Sequence, residues 1–422
     1  MTDDAHSLAR SIDEVACLAT LSEMVRHKSH SETEGERRLA ERMVEIMGAM
    51  GLEAFLQPVE GDRVNAIGVW RGTGGGKSLL FNGHLDTNPV TEGWTVDPYG
   101  GLVDDDFIYG IGVSNMKAGD AASLCAVRTL IEAGRRLKGD VILTYVVGEL
   151  QGGVGTLAAV RAGTRADYFI NSEPTDLQAL TMHAAAFIFT IELTGVTRHM
   201  SKREEAVDAI RAACELVPEL TSMTFSDAPS EEHRSINRVH VGTFRGALGR
   251  EFEEWRPPQV ADFVRLTGSG RHGPGQSEAQ ALADFRAVLD GLAKRHPGLK
   301  AEVRIESRDG RPTMPAFEVP KDARIVQALN AAYEAVRGEP QPTGVITPPG
   351  FYGTDAGHLY AEAGMEGVVC GPGGRYNTMP DERVDRPDFL DMIRIYLMTM
   401  CDICELEAEL ILRSASRENA TR

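Results

Sequence analysis

Short apolar runs alternate with longer segments of helical periodicity between about residue 10 and residue 180. Three of these runs begin with apolar residues and end with polar ones: SLLFNGHLDT at 78–87, DVILTYVVGE at 140–149 and ADYFINSEPT at 166–175. A helical pattern near 117–134 separates the first run from the second. Strands that alternate with helices predict an α/β fold, with a mainly parallel sheet and helices on both faces. Ligands bind at the carboxyl ends of such strands, where the polar residues of these runs lie.

The pattern changes near residue 183, where apolar and polar residues begin to alternate. The segment that follows contains HAAAFIFTIELTG, INRVHVGTFRG, VADFVRLTGSG and AEVRIES, with helical patterns near 204–216 and at SEAQALADFRAVLDGLAKRH. Two helices and about four strands are typical of a small α+β domain. The first pattern resumes near 309. We therefore predict a catalytic domain formed by residues 1–182 and 309–422, interrupted by an inserted α+β domain at 183–308.

Composition indicates a soluble globular protein. The chain has 422 residues, of which 42% are hydrophobic, so it can bury a core large enough for two domains. Its formal net charge of −18 is spread along the sequence, so we expect neither a nucleic acid nor an anionic membrane as a partner. The first residues, MTDDAHSLARSIDE, contain no apolar targeting segment, and no run of 18 apolar residues occurs. The expected location is the cytoplasm.

The cysteines favour a reducing compartment over a disulfide framework, because the six of them are scattered along the chain at 17, 125, 214, 370, 401 and 404. Cys401 and Cys404 form the one CxxC pair, inside the helical pattern FLDMIRIYLMTMCDICELEAELI. The favoured interpretation is that both pack in the core. Zinc binding or redox chemistry is the minor alternative.

Four segments at predicted strand ends form an ordered set: GHLDT (83–87), GIGVSNMKAG (110–119), GELQGG (148–153) and SEPT (172–175). Their order and spacing resemble the M20 metallopeptidases, a family that includes deacetylases, desuccinylases, aminoacylases and carboxypeptidases. The resemblance extends over nearly the whole chain, because GVTRHMSKREEAVDAI (195–210) and PDERV (380–384) are similar to two further family motifs. It implies a catalytic domain that carries metal and an inserted domain that forms a homodimer or a larger homo-oligomer.

The resemblance assigns roles to five residues at matching positions. His84 falls on a metal ligand, and Asp86 on the carboxylate that orients this histidine through its second ring nitrogen. Glu149 falls on the general base that deprotonates the water on the metal. Glu173 falls on a terminal carboxylate ligand. His199 falls on the histidine that in the family reaches into the neighbouring subunit's site and stabilises the oxyanion.

Three departures from the family pattern concern the ligands of one of its two metals. Asn115 replaces the aspartate that bridges the metals, Leu150 a terminal glutamate, and Thr378 a histidine. Thr378 is therefore a candidate substrate-binding residue, with Arg271 and Trp255, and is not expected to bind metal. A carboxylate can direct one oxygen to each of two cations, whereas an amide offers one acceptor oxygen and an NH2 donor that a second cation repels. We therefore expect one metal, held by His84, Asn115 and Glu173.

In a protein that had lost its activity, random substitutions would be expected to change the ligands of both metals and the general base alike. A working mononuclear enzyme is therefore favoured over a decayed pseudoenzyme. A ligand set dominated by oxygen favours Mn²⁺, with Zn²⁺ or Fe²⁺ as alternatives.

The inserted domain adds candidates for substrate binding. Aligned on Pro258, the family's substrate-binding asparagine becomes Trp255, and its arginine becomes Arg271. Arginine suits a carboxylate, and a neighbouring tryptophan can stack on an aromatic ring. The alternative is that Trp255 packs in the domain core and Arg271 pairs with a surface acid. Gly357 stands where the family has another arginine, so ordinary recognition of a peptide carboxylate is not expected.

The expected reaction is metal-assisted hydrolysis of a C–N bond. A single-metal site with an aromatic carboxylate substrate is similar to that of family members that replace the amine of 5-nitroanthranilate with hydroxyl. A nitro-substituted ring can hold the negative charge that arises when hydroxide adds. Two alternatives stay open: a mononuclear amidohydrolase of N-acyl amino acids, and a catalytically inactive protein that binds a small carboxylate.

Overall fold

The computed structural model describes residues 2–254, 257–305, 310–346 and 348–407. Its helices are α1 (Asp3–Arg10), α2 (Glu14–Arg26), α3 (Glu34–Ala49), α4 (Ala118–Glu132), α5 (Val154–Arg161), α6 (Ala209–Thr221), α7 (Glu231–Ser235), α8 (Glu278–Arg295), α9 (Arg324–Arg337), α10 (Ala356–Ala361) and α11 (Arg386–Ile403). Its strands are β1 (Glu53–Pro58), β2 (Val64–Trp70), β3 (Leu79–His84), β4 (Phe107–Tyr109), β5 (Val141–Val146), β6 (Tyr168–Asn171), β7 (Ala179–Leu180), β8 (Met182–His183), β9 (Ala185–Thr194), β10 (Arg238–Ala247), β11 (Phe263–His272), β12 (Lys300–Ile305), β13 (Phe317–Glu318), β14 (Thr343–Gly344), β15 (Glu366–Val369) and β16 (Arg383–Asp385).

The larger sheet has eight strands in the order β1-β2-β5-β3-β6-β15-β7-β14. Its central strands β5, β3, β6 and β15 run parallel, while β1 and β2 join antiparallel at one edge. Helices cover both faces. On β3, the ring of Phe81 lies 4.9 Å from that of Tyr396 in α11, and the next residue, Asn82, points the other way and donates to the Thr156 hydroxyl of α5. The predicted α/β fold with a mainly parallel sheet is confirmed.

A second sheet of four strands has the order β10-β11-β9-β12, with every pairing antiparallel. Helix α8 shows why its sequence packs on this sheet. Ser277 caps its first turn by accepting from the Gln280 N–H, and its buried residues Ala281, Phe285, Leu289 and Leu292 form one apolar stripe. The stripe packs with Phe187 and Phe189 of β9 in a core separate from that of the larger sheet.

The chain leaves the larger sheet after β7 and returns to it with β14. The predicted domain boundary at 308 lies outside the described residues, as do the residues after 407, so the division at 182 and 308 stays a prediction. In the part of the chain that the structure describes, no helix has the length and apolar character that a membrane crossing requires.

His183 belongs to β8, which lies in the sequence between β7 of the larger sheet and β9 of the second sheet, and its side chain is fully buried. Its Nδ1–H donates to the Ala184 carbonyl at 3.0 Å, and its Nε2 accepts from the Thr354 hydroxyl at 3.0 Å, so the ring is held neutral. Burial lowers the pKa of His183 to about 4. The unfolded chain therefore takes up this proton near pH 6.5 and the folded chain does not. The contribution of neutral His183 to the free energy of unfolding is fully present above about pH 6.5 and is lost as the pH falls toward 4.

We expect acidification from pH 7.5 to pH 4 to remove about 3 kcal/mol of unfolding free energy through His183 alone, at about 1.4 kcal/mol per pH unit. Urea unfolding of the wild type and of His183→Gln at pH 7.5, 5.5 and 4.5 measures this contribution. The variant is expected to be less stable at pH 7.5, and the gap between the two proteins should narrow on acidification. Parallel pH profiles would show that this histidine is not the titrating group.

Candidate active site

Three predicted site residues lie where adjacent parallel strands end. His84 is the last residue of β3, Glu149 follows β5, and Glu173 follows β6. Because these strands are neighbours in the order β5-β3-β6, their carboxyl ends bring the side chains to one edge of the sheet. One ligand atom from each residue lies within 4.8 Å of the others.

The atoms converge on the Nε2 nitrogen of His84. Asn115 Oδ1 lies 3.0 Å from it, Glu173 Oε1 3.6 Å and Glu149 Oε2 4.0 Å. All four residues named as metal ligands or base therefore face one point. The structure brings together the ligand set that was predicted from the sequence.

A glycine-rich turn positions Glu149. The GELQGG segment forms a single tight turn at Glu149–Gln151, and Gly148 and Gly152 on either side adopt the left-handed conformation, with φ of 78° and 81°. Residues with a side chain rarely adopt that conformation. The turn leads the chain directly from β5 into α5 and keeps Glu149 at the end of the strand.

Glu382 fixes the backbone that carries Asn115. Its carboxylate accepts the N–H of Ser114 at 2.8 Å, of Asn115 at 3.0 Å and of Gly112 at 3.2 Å. Burial raises the pKa of Glu382 to about 7, against the opposing effect of these N–H donors. The sequence indicated this residue only as part of the PDERV motif. The structure shows that it orients the Asn115 loop from a distant part of the chain.

The predicted contact of Asp86 with His84 needs a correction. His84 Nδ1 donates to the backbone carbonyl of Asp86 at 2.8 Å, whereas the Asp86 carboxylate lies 3.7 Å from that nitrogen, beyond hydrogen-bond distance. The carboxylate instead accepts the N–H of Gly148 at 2.8 Å and the hydroxyl of Ser31 at 2.9 Å, with longer bonds to the turn at 149–150. Asp86 thus orients the ring through its main chain and anchors the Glu149 turn through its side chain.

The electrostatics of the cluster favour a cation. Burial of His84 opposes its protonation, but the carboxylates of Glu173, Asp86 and Glu149 outweigh this effect and raise its pKa to about 10. Burial raises the pKa of Glu149 well above its usual range, and that of Glu173 also rises. Buried carboxyl groups either hold protons or face a positive charge. His84, Asn115 and Glu173 would hold a divalent cation here, and its charge would offset both carboxylates and leave His84 neutral.

Asp120 strengthens this conclusion, and sequence reasoning missed it. It is 1% exposed, and neither carboxylate oxygen has a hydrogen-bond partner among the described residues. A Cβ on Gly83 would lie 1.9 Å from Asp120 Oδ1, so the glycine before His84 allows this close approach. Burial raises the pKa of Asp120 well above its usual range, so this unpartnered carboxyl holds a proton unless a cation lies nearby. The donor set of His84, Asn115 and Glu173, with the base Glu149 beside it, fits a divalent metal.

Asp355 is a second acid that the sequence did not single out. It is buried, and burial raises its pKa to about 7, with the carboxylate of Glu173 adding to the effect. The signal for both Asp120 and Asp355 was an acidic residue among small residues, in AGDAA (118–122) and GTDAG (353–357). Such a signal identifies a buried acid only once the fold shows what surrounds it.

The three positions that depart from the family pattern lie close to the cluster. Asn115 is in it, and Leu150 follows Glu149 with 38% of its surface exposed. Thr378 has a φ of 52°, in the left-handed region, and lines a cavity together with Asn115. Neither Leu150 nor Thr378 offers a side chain that binds a metal strongly.

Arg271 lies on β11 and shares a cleft of about 470 Å³ with Glu149 and Leu150. Its Nε donates to the Phe351 carbonyl at 3.0 Å and its Nη1 to the Gly270 carbonyl at 3.0 Å. Among the described residues, no acceptor takes a hydrogen bond from Nη2. This contradicts the alternative of a surface salt bridge for Arg271. Trp255 lies outside the described residues.

His199 does not join the cluster. It is exposed, and its Nδ1 bonds the Ser201 hydroxyl at 3.0 Å in the segment after β9. Its predicted role across a dimer interface needs a partner subunit, and it stays a prediction together with the homodimer itself.

Comparison with known proteins assigns the class. The model of peptidase family M20/M25/M40 matches residues 80–402. The chain therefore belongs to this family of metal-dependent hydrolases that act on C–N bonds, which confirms the expectation from the four motifs.

Two relatives and one solved structure illustrate the breadth of the likeness. N-formyl-4-amino-5-aminomethyl-2-methylpyrimidine deformylase of Bacillus subtilis is 26% identical over 371 residues, 82% of this chain and 84% of that protein. Acetylornithine deacetylase of Yersinia pseudotuberculosis is 27% identical over 350 residues, 80% of this chain and 83% of that protein. The YXEP protein of Bacillus subtilis, described as a dinuclear metal-binding peptidase of the M20 family, superimposes with a TM-score of 0.65 at 17% identity, over 93% of this chain and 98% of that one. The superposition supports the fold.

Proposed function

We propose that this protein hydrolyses a C–N bond with a single divalent cation, Mn²⁺ being favoured. One observation carries the proposal. His84 and Glu173, the ligands expected for one metal, converge with Asn115 and Glu149. By the resemblance of the motifs, Leu150 and Thr378 replace the residues that bind only the second metal in the family. The YXEP protein, by contrast, is described as binding two metals.

The chain's own residues perform the acid–base work. When bound, the cation supplies Lewis acidity that lowers the pKa of water. Glu149 accepts a proton from that water and delivers it to the departing nitrogen, because its carboxylate is the base beside the ligand set, 4.0 Å from His84 Nε2. Asp86 holds the turn of Glu149 in place. Arg271 binds the substrate carboxylate through its free Nη2, from the same cleft.

The substrate that we propose is an activated aromatic amine carboxylate, of which 5-nitroanthranilate is the model. Water oxygen forms a bond to the ring carbon, the C–N bond breaks, and the proton held by Glu149 goes to the nitrogen, so that ammonia leaves and a phenol remains. The nitro group holds the negative charge of the addition step, as the oxyanion does when an amide is hydrolysed. The same arrangement of base and cation serves both reactions.

Hydrolysis of N-acyl amino acids is the second candidate, favoured by the deformylase and the deacetylase among the relatives. It needs the same base and the same carboxylate contact. The two candidates differ in which bond breaks: an aryl C–N bond in the first, an amide in the second.

A substrate panel separates them. Purified protein with Mn²⁺ is expected to release ammonia from 5-nitroanthranilate, with one oxygen from H₂¹⁸O in the phenol. Arg271→Gln should raise KM about 10- to 100-fold, because a charged hydrogen bond to the carboxylate is lost. Arg265→Gln, on the same strand, serves as the matched control.

Hydrolysis of N-formyl or N-acetyl amino acids with no change in the aromatic amines would establish the second candidate and overturn the first. Binding of a small carboxylate without turnover, unaffected by chelators, would instead establish a catalytically inactive binding protein.

A further inference from the structure

A small cavity adjoins the candidate metal ligand Asn115, apart from the cleft that holds Arg271. It measures about 240 Å³. Asn115 and Thr378 both line it, and these are two of the three positions that depart from the metal ligands of the family. The third of these positions, Leu150, lines the cleft of Arg271, so the departing positions border both spaces.

The lining of this cavity does not suit a cation. Glu382 is the one acid among the lining residues, and its oxygens already accept the N–H groups of Gly112, Ser114 and Asn115. No histidine or cysteine is among the described residues that line the cavity. The described lining therefore offers no free ligand of the kinds that bind a cation strongly.

The remaining lining is mainly apolar. Pro89, Trp94, Ile111 and Met379 form its apolar walls, with Asn88 and Thr91 beside them, and Met379 is 43% exposed. Tryptophan and methionine both make favourable contacts with an aromatic ring, through stacking and through sulfur. A cavity below the usual range of about 300–1,000 Å³ for drug-sized ligands holds a single substituted ring.

Charge sets the orientation of such a ring. Neither lysine nor arginine is among the described residues that line the cavity, so it offers no cation to an anionic group. Arg271, in the cleft with Glu149, attracts one. A ring with a carboxylate substituent therefore enters with its uncharged edge in the cavity and its carboxylate toward the cleft, which leaves the bond to be broken beside Asn115 and Glu149.

We propose that the cavity beside Asn115 is the subsite for an uncharged, conjugated six-membered ring of the substrate, and that Trp94 and Met379 determine this specificity. The inference rests on the proposed hydrolysis of an aromatic aminocarboxylate at the same site. It adds the residues that select the ring, which no family motif assigned.

The test uses ligands that bind and cannot react. Calorimetry on the protein loaded with Mn²⁺ compares 3-nitrobenzoate, which lacks the amine, with cyclohexanecarboxylate, which lacks the aromatic ring. The wild type is expected to bind 3-nitrobenzoate about tenfold more tightly, the size of effect that an aromatic contact provides. Met379→Glu and Trp94→Leu should remove this preference, because a charge or a smaller side chain spoils the apolar wall.

Two controls keep the test specific. Met379→Leu preserves the apolar volume and should retain the preference, and Leu102→Glu places the same charge at another residue with similar exposure, 46%. Metal content and melting temperature confirm that each variant is folded. Wild-type protein that does not prefer the aromatic ligand, or Met379→Glu and Trp94→Leu variants that keep the preference, would overturn the subsite.

The subsite and the proposed function can fail separately. Ring selectivity that depends on Met379, without release of ammonia from any aromatic amine, retains the subsite and rejects the reaction. Release of ammonia with ring selectivity unchanged in Met379→Glu and Trp94→Leu retains the reaction and rejects the subsite.

Discussion

Replacement of Glu149 by glutamine is expected to lower kcat about 10²- to 10⁴-fold, the contribution that a positioned general base makes. The amide has nearly the same shape and can accept a hydrogen bond, but it cannot take a proton from water. Glu149 lies 4.0 Å from His84 Nε2, at the rim of the ligand set, so the variant should keep its metal. Steady-state kinetics together with elemental analysis of the same preparation measure both quantities.

The matched control is Glu32→Gln, which removes a carboxylate from the rim of the same cleft, where it pairs with Arg311. We expect that variant to keep kcat within a few-fold of the wild type. If Glu149→Gln retained wild-type turnover, another group would have to be the base. A parallel loss of metal and of activity would show that Glu149 acts as a ligand.

Replacement of Glu173 by alanine is expected to weaken metal binding by more than about 100-fold, beyond the loss seen when an outer-shell partner of a ligand is removed. Glu173 supplies the one carboxylate that the account assigns to the metal as a terminal ligand, at 3.6 Å from His84 Nε2. Without it, the cation has only an imidazole and an amide oxygen from the assigned ligands. Titration with Mn²⁺, followed by calorimetry, measures the affinity directly.

Asp176→Asn is the control, because Asp176 lies three residues further along the same segment and pairs with Arg375 at 3.2 Å, away from the cluster. Added Mn²⁺ should raise the melting temperature of the wild type and of Asp176→Asn, since a ligand of the folded state stabilises it. The melting temperature of Glu173→Ala should not respond. An equal response of all three proteins would remove Glu173 from the ligand set.

Much of the site could be predicted because its residues follow local rules. Each of His84, Glu149 and Glu173 ends or follows an apolar run, and parallel strands gather their carboxyl ends at one edge of the sheet. The order of the strands, β5-β3-β6, then turned three separate motifs into one cluster. Asn115 joined them as predicted, although its loop is held by Glu382, more than 260 residues away in the sequence.

The remainder depended on tertiary contacts that no local pattern encodes. Asp86 was expected to reach His84 with its carboxylate, yet the carboxylate satisfies the backbone of the Glu149 turn, and the main-chain carbonyl orients the ring. The sequence pattern did not single out Asp120, and only the packing of Gly83 against it shows that it lies beside the strand end that carries His84. The cavity walls at Trp94 and Met379 come from two segments far apart in the sequence.

The number of metal ions per chain decides whether the active site is mononuclear. Protein purified without chelator and saturated with Mn²⁺ should contain about one ion per chain by elemental mass spectrometry, because His84, Asn115 and Glu173 form a single ligand set. The triple variant Asn115→Asp, Leu150→Glu, Thr378→His restores the family's ligands and should bind about two, which shows that the assay detects a second ion. Two ions in the wild type, or none, would contradict the account.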